Sequence, residues 1–134
     1  MLLAQYPLES HSRGIITVAS MLRDAGMEVI FIGNELPERI VDTAIQEDVD
    51  VIGISTYCGG EMAPSIDLMK AAEAKGIKSN TVFLIGGIFP PNNASKLKEM
   101  GFYDVFPPLS TREEIVSCIK TAVDTRRPGS ESSG

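Results

Sequence analysis

Residues 51–54, Val51-Ile52-Gly53-Ile54, are apolar without a break and run into Ser55-Thr56. A strand with one wet face alternates apolar and polar residues. An unbroken run rich in β-branched residues implies burial on both faces. Two-sided burial in turn calls for helices above and below a parallel sheet. The flanking sequence agrees. Upstream, Ile40, Val41, Ala44 and Ile45 repeat at helical spacing after Pro37, a residue suited to a first helical turn. Downstream, Met62–Ala74 repeats the pattern and stops at Gly76.

The same alternation extends to both ends of the chain. Leu2–Ala4, Glu28–Ile32, Val82–Ile85 and Val105–Phe106 read as further strands. Ile15, Val18, Ala19 and Leu22 share one helical face before Gly26. Asn93–Met100 stops at Gly101, and Thr111–Val123 opens with Thr111 three residues ahead of Glu114, a capping box. Five strands alternating with five helices in 134 residues predict an α/β fold. It is the flavodoxin-like doubly wound parallel sheet, of strand order 2-1-3-4-5, with helices on both faces. One domain is expected over residues 1–124, followed by a polar, disordered tail over 125–134.

Composition removes several functions. The formal charge of -6, from 12 Lys+Arg against 18 Asp+Glu, opposes a nucleic-acid or anionic-membrane partner. Cys58 and Cys118 are far apart with no Cys-x-x-Cys, which excludes a disulfide scaffold or a thiolate zinc site and fits a reducing compartment. Met1–Pro7 lacks the basic start and long apolar stretch of a signal peptide. A cytoplasmic protein is expected.

In such a sheet, ligands bind beyond the carboxyl ends of the strands. The loops there are Gln5–Arg13, Gly33–Leu36, Ser55–Glu61, Gly86–Asn92 and Pro107–Ser110. The first holds His11, the single histidine of the chain. A neutral imidazole can ligate a transition metal while its other N–H bonds a carboxylate. Glu9 is spaced for that partnership, and equally to sit as a solvated loop acid. One imidazole cannot hold a free ion tightly, since catalytic zinc takes three protein ligands. A metal on His11 would arrive already coordinated by a macrocycle. Ser55 through Gly60 offers hydroxyls and then room, and Gly86-Gly87 lets the backbone approach a ligand closely. Neither matches a phosphate loop.

Together these segments resemble the cobalamin-binding domain, in the form found in acyl-CoA mutases of the methylmalonyl-CoA mutase type. The likeness runs from Leu2 to about Ile119. The family's Asp-x-His-x-x-Gly is matched by Glu9-Ser10-His11-Ser12-Arg13-Gly14, its Ser-x-Leu by Ser55-Thr56-Tyr57, and its Gly-Gly pair by Gly86-Gly87. The stretches Leu22–Ile30 and Ala44–Gly53 also look like these mutases. The resemblance implies adenosylcobalamin as cofactor, with His11 as the axial cobalt ligand and Glu9 as its orienting carboxylate. Ser55 would bond the base of the cofactor's nucleotide tail, and Gly86 and Gly87 would leave the tail space. Ser10, Ser12, Arg13, Gly14, Tyr57, Gly59, Pro107 and Ser110 complete the implied contacts.

The sequence departs from the family at Glu9, at Gln5 where lysine is common, and at Tyr57. It also carries Pro107-Pro108-Leu109-Ser110 in place of Gly-Pro-Gly-Thr. No substrate-binding barrel of some 250 residues is present. The resemblance therefore implies a small subunit, not catalytic alone, that works with a large substrate-binding subunit and meets acyl-CoA only through it. A corrinoid methyl carrier, or a cobalamin-type fold retained as an interaction module, are the alternatives.

Overall fold

The computed structural model describes residues 1–5, 13–56, 62–87, 91–106 and 112–126. Five strands, β1 (Leu2–Gln5), β2 (Ile30–Asn34), β3 (Val51–Thr56), β4 (Val82–Gly87) and β5 (Asp104–Phe106), alternate with five helices. The helices are α1 (Arg13–Asp24), α2 (Pro37–Gln46), α3 (Met62–Ala74), α4 (Pro91–Met100) and α5 (Arg112–Arg126). All pairings are parallel and the order is β2-β1-β3-β4-β5. The expected fold is the observed one.

The side-chain alternation of each strand divides the core in two. Leu2, Ile52, Ile54, Phe83 and Ile85 face α2, α3 and α4, where Ile40, Val41, Leu68 and Leu97 close over them. Leu3, Val51, Val82 and Leu84 face α1 and α5, meeting Ala19, Leu22, Ile115, Ile119 and Ala122. The unbroken run at 51–54 thus feeds both layers. Its glycine has a packing reason. A Cβ on Gly53 would lie 2.7 Å from Leu3 Cδ2 and 3.1 Å from Met1 Cε, so its absence lets β1 side chains lie over β3.

Helix ends α1 to α4 share one closure. The N–H groups of Met27, Val49, Ile77 and Phe102 donate to the carbonyls of Leu22, Ala44, Ala72 and Leu97 at 3.1, 3.1, 3.0 and 3.1 Å. Each bond spans five residues and ends on an apolar side chain, the hallmark of a Schellman stop. Gly26 and Gly76 take the required positive φ, at 90° and 79°, whereas α2 uses Asp48 at φ 52°. An L side chain there is strained, which Asp only partly relieves. Asp48→Gly should therefore raise stability by about 0.5–1 kcal/mol, read as a higher urea midpoint at unchanged slope.

Some boundaries move. β1, β3 and β4 run one or two residues past their expected ends, through Gln5, Ser55-Thr56 and Gly86-Gly87. β2 starts at Ile30, because β1 begins opposite it at Leu2. α5 continues to Arg126, beyond the expected end at Val123, since no breaker occurs before Pro128. Ile45, expected on the buried face of α2, is 44% exposed, while Ala44 beside it is buried.

Candidate functional site

The extended strand ends place a row of residues across the carboxyl edge. Register pairs Asn34 with Gln5, Gln5 with Ser55, Ser55 with Gly86, and Gly86 with Phe106. Residues in register on a parallel sheet share a face, and Phe106 packs with the α1/α5 layer. Gln5, Ser55, Gly86 and Phe106 therefore all face α1 and α5. Gln5 is 1% exposed and Ser55 8%. Among the described residues, a Cβ built on Gly86 would meet only Phe106, its O at 3.7 Å and its Cβ at 3.8 Å. A carboxamide, a hydroxyl, a gap and an aromatic wall follow one another. Such a row can take the edge of a flat heteroaromatic group entering between sheet and helices.

Of the residues singled out from sequence, Ser55 and Gly86 are adjacent in this row. Gly87 pairs with Thr56 in the next row, on the face toward α2–α4, so the glycine pair divides between the layers. Arg13 and Gly14 open α1. Glu9, Ser10, His11, Ser12, Tyr57, Gly59, Pro107 and Ser110 lie outside the described residues. The segments that carry them are rooted at Gln5, Thr56 and Phe106, all at the carboxyl edge. Sequence reasoning noted Gln5 only as a departure from the family's lysine, without a contact of its own, and left Phe106 out of the site. Their signal is register, which a single sequence does not reveal.

Other chemistry is thin among the described residues. No group of three metal-ligating side chains occurs there. No helix there is long and apolar enough to cross a membrane. A cavity of about 570 Å³ opens at the opposite, amino edge, where Glu28, Glu47, Asp48 and Asp50 outnumber Lys120. That charge repels phosphate-bearing ligands, so volume alone does not mark the site.

The thiol of Cys118 on α5 is held in its protonated form at neutral pH. Burial, then the charge of Asp104, then a 3.6 Å hydrogen bond from Sγ to Asp104 Oδ2 push its thiol up to about 11, with Lys98 opposing. The unfolded thiol, near 9.0, ionises first, so stability should fall as pH rises from 9 to 11. In a Cys58→Ser background, alkylation by iodoacetamide at pH 8 should be slow, and Asp104→Asn should accelerate it. Equal rates would show that Asp104 does not hold the proton.

With this geometry in place, comparison with known proteins is informative. Residues 1–116 match the B12 binding domain. The chain is 35% identical over 127 residues to the 2-hydroxyisobutanoyl-CoA mutase small subunit of Aquincola tertiaricarbonis, spanning 94% of this chain and 93% of that one. It is 40% identical over 121 residues to the pivalyl-CoA mutase small subunit of Xanthobacter autotrophicus, spanning 89% and 80%. Against the mitochondrial methylmalonyl-CoA mutase of Bos taurus it is 30% identical over 112 residues, only 14% of that longer protein. A crystal structure of a cobalamin-binding protein from Desulfitobacterium hafniense DCB-2 superposes with a TM-score of 0.75 at 20% identity, covering 89% of this chain and 56% of that one. That last likeness speaks for the fold; the sequence matches speak for kinship. The chain belongs to the B12-binding domain family and, within it, to the small subunits of acyl-CoA mutases.

Proposed function

We propose that this chain binds adenosylcobalamin at its carboxyl edge and presents it to a separate large mutase subunit, within which an acyl-CoA is isomerised. The observation that carries the reading is the row Gln5–Ser55–Gly86–Phe106, polar then open then aromatic, at the root of the segment bearing His11. The row fits the cofactor's tail: among the described residues the missing side chain of Gly86 is bounded only by Phe106, and the hydroxyl of Ser55 lies on its other side. When bound, adenosylcobalamin supplies homolytic cleavage of its cobalt–carbon bond, which starts a radical carbon-skeleton rearrangement.

The protein's own residues bind and orient. His11 gives one ring nitrogen to cobalt, and Glu9 takes the other N–H, fixing the tautomer. Ser55 bonds the tail base beside the carboxamide of Gln5, and Gly86 keeps the groove open. Gly87, in register with Thr56, faces the other layer. Ser10, Ser12, Arg13, Gly14, Tyr57, Gly59, Pro107 and Ser110 complete the contacts. Residues 1–124 form this binding unit, residues 125–134 lie outside it, and the complex works in the cytoplasm. The large subunit supplies a substrate-binding barrel.

The test is direct. Pure protein is mixed with adenosylcobalamin, desalted and scanned in the visible range. Retained cofactor with a base-off spectrum is expected, and acyl-CoA isomerisation only after the large subunit is added. A colourless protein fraction would overturn the reading.

A further inference from the structure

We infer that Leu36 is a rigid anchor by which the carboxyl edge grips the large catalytic subunit, an inference that rests on the function proposed above. Among the described residues five large apolar side chains are exposed, and Leu36 is the most open, at 55%. Ile16, in the first turn of α1, and Ile66, in the second turn of α3, are also exposed toward the carboxyl ends of the strands.

Leu36 occupies a position where local chemistry favours another residue. It is the N-cap of α2, at φ -68° and ψ 145°, and its side chain caps nothing. Ser, Thr, Asp or Asn would accept a first-turn N–H there, and leucine is among the poor choices. For the chain alone, an exposed leucine at a cap is unfavourable twice over. Local rules broken without local compensation point to function.

The backbone beneath it is fixed. Between Leu3 and Gln5 the β1–β2 register shifts, with Gly33 at φ 73°, which brings Asn34 opposite Gln5. Glu35 N–H donates to the Gln5 carbonyl at 2.9 Å, and Leu36 N–H to Glu35 Oε1 at 3.2 Å. The Leu36 carbonyl accepts from Arg39 and Ile40, both at 3.0 Å, and Pro37 stiffens the next link. An apolar group on so stiff a stem loses little freedom on docking. Glu35 and Arg39, 4.0 Å apart, stand beside it as a charged rim.

The occupant follows from kinship with mutase small subunits. The chain spans 93% of a relative named a mutase small subunit, and the function proposed above gives that kind of chain a separate large catalytic subunit as its partner. That subunit has to cover the edge from which the cofactor-binding segments spring, and Leu36 stands on the same edge.

The experiment measures binding of the full-length chain, loaded with adenosylcobalamin, to the purified large mutase subunit from the same organism. Leu36→Asp should weaken binding at least tenfold while the melting temperature of the isolated chain stays level or rises, because aspartate caps α2. Leu36→Ser, also a good cap, should weaken it similarly and guards against a charge effect. Ile45→Asp, on the amino edge, should leave affinity unchanged. Unchanged binding by both Leu36 variants would overturn the anchor, as would equal weakening by Ile45→Asp. If the wild-type chain retains cobalamin but does not bind the large subunit, the functional reading fails and the anchor with it.

Discussion

Replacing His11 with alanine is expected to lower affinity for adenosylcobalamin by ~100-fold or more and to remove the base-off, His-on spectrum. Disturbing a carboxylate behind a ligating histidine typically costs about 10–100-fold, so removing the imidazole itself belongs at or beyond the upper end. In free energy that is about 2.7 kcal/mol. His11 is the single histidine in 134 residues, so no other imidazole can substitute. Two companion measurements sharpen the result. Added imidazole should restore the spectrum in His11→Gly, and Glu9→Gln should weaken binding less than either. Far-UV circular dichroism should stay unchanged. A variant that keeps both wild-type affinity and spectrum would show that cobalt is not held by His11.

The second large effect is expected at Gly86. Among the described residues a Cβ there makes only ordinary contact, with Phe106 at 3.7 and 3.8 Å, so Gly86→Ala is compatible with the strand ladder. Its added methyl nevertheless enters the space on the α1/α5 side beside Ser55 and should weaken cofactor binding roughly tenfold, an overpacking cost of about 1–3 kcal/mol. Gly86→Leu should block the groove and abolish measurable binding while the apo chain still melts cooperatively. Titration with adenosylcobalamin, paired with thermal melts of the apo proteins, separates occlusion from unfolding. Wild-type affinity in Gly86→Leu would mean that the tail does not pass between sheet and helices at this point.

The architecture was legible because the core demands it. Val51-Ile52-Gly53-Ile54 and Val82–Ile85 supply both helical layers at once, and no other arrangement buries them. Helix α3 matched its expected span, since its apolar spacing and Gly76 stop agree. What escaped was the last residue or two of the central strands. Gln5, Ser55-Thr56 and Gly86-Gly87 carry turn chemistry, and taken alone each would leave the sheet. Gln5, Ser55 and Gly86 are held by neighbours on both sides, and Thr56 and Gly87 by each other, so tertiary pairing overrides propensity. The site suffered the same way. Ser55 and Gly86 were identifiable from motif spacing, but the adjacency of Gln5 and Phe106 is a product of register. Ile45 was misplaced because helical spacing allows it on the edge of the apolar stripe, and the structure buries Ile40, Val41 and Ala44 instead.

The four five-residue closures that end α1 to α4 all lie at the amino edge, away from the segments proposed to hold the cofactor. The chain is therefore stitched shut at one end and left free to vary at the other. Residues at the open end can be exchanged without cutting a stitch, which makes this scaffold a natural recipient for loop grafting. A library randomised over 6–12, 57–61 and 107–111 leaves every helix stop in place. Its members should differ in what they carry far more than in whether they fold.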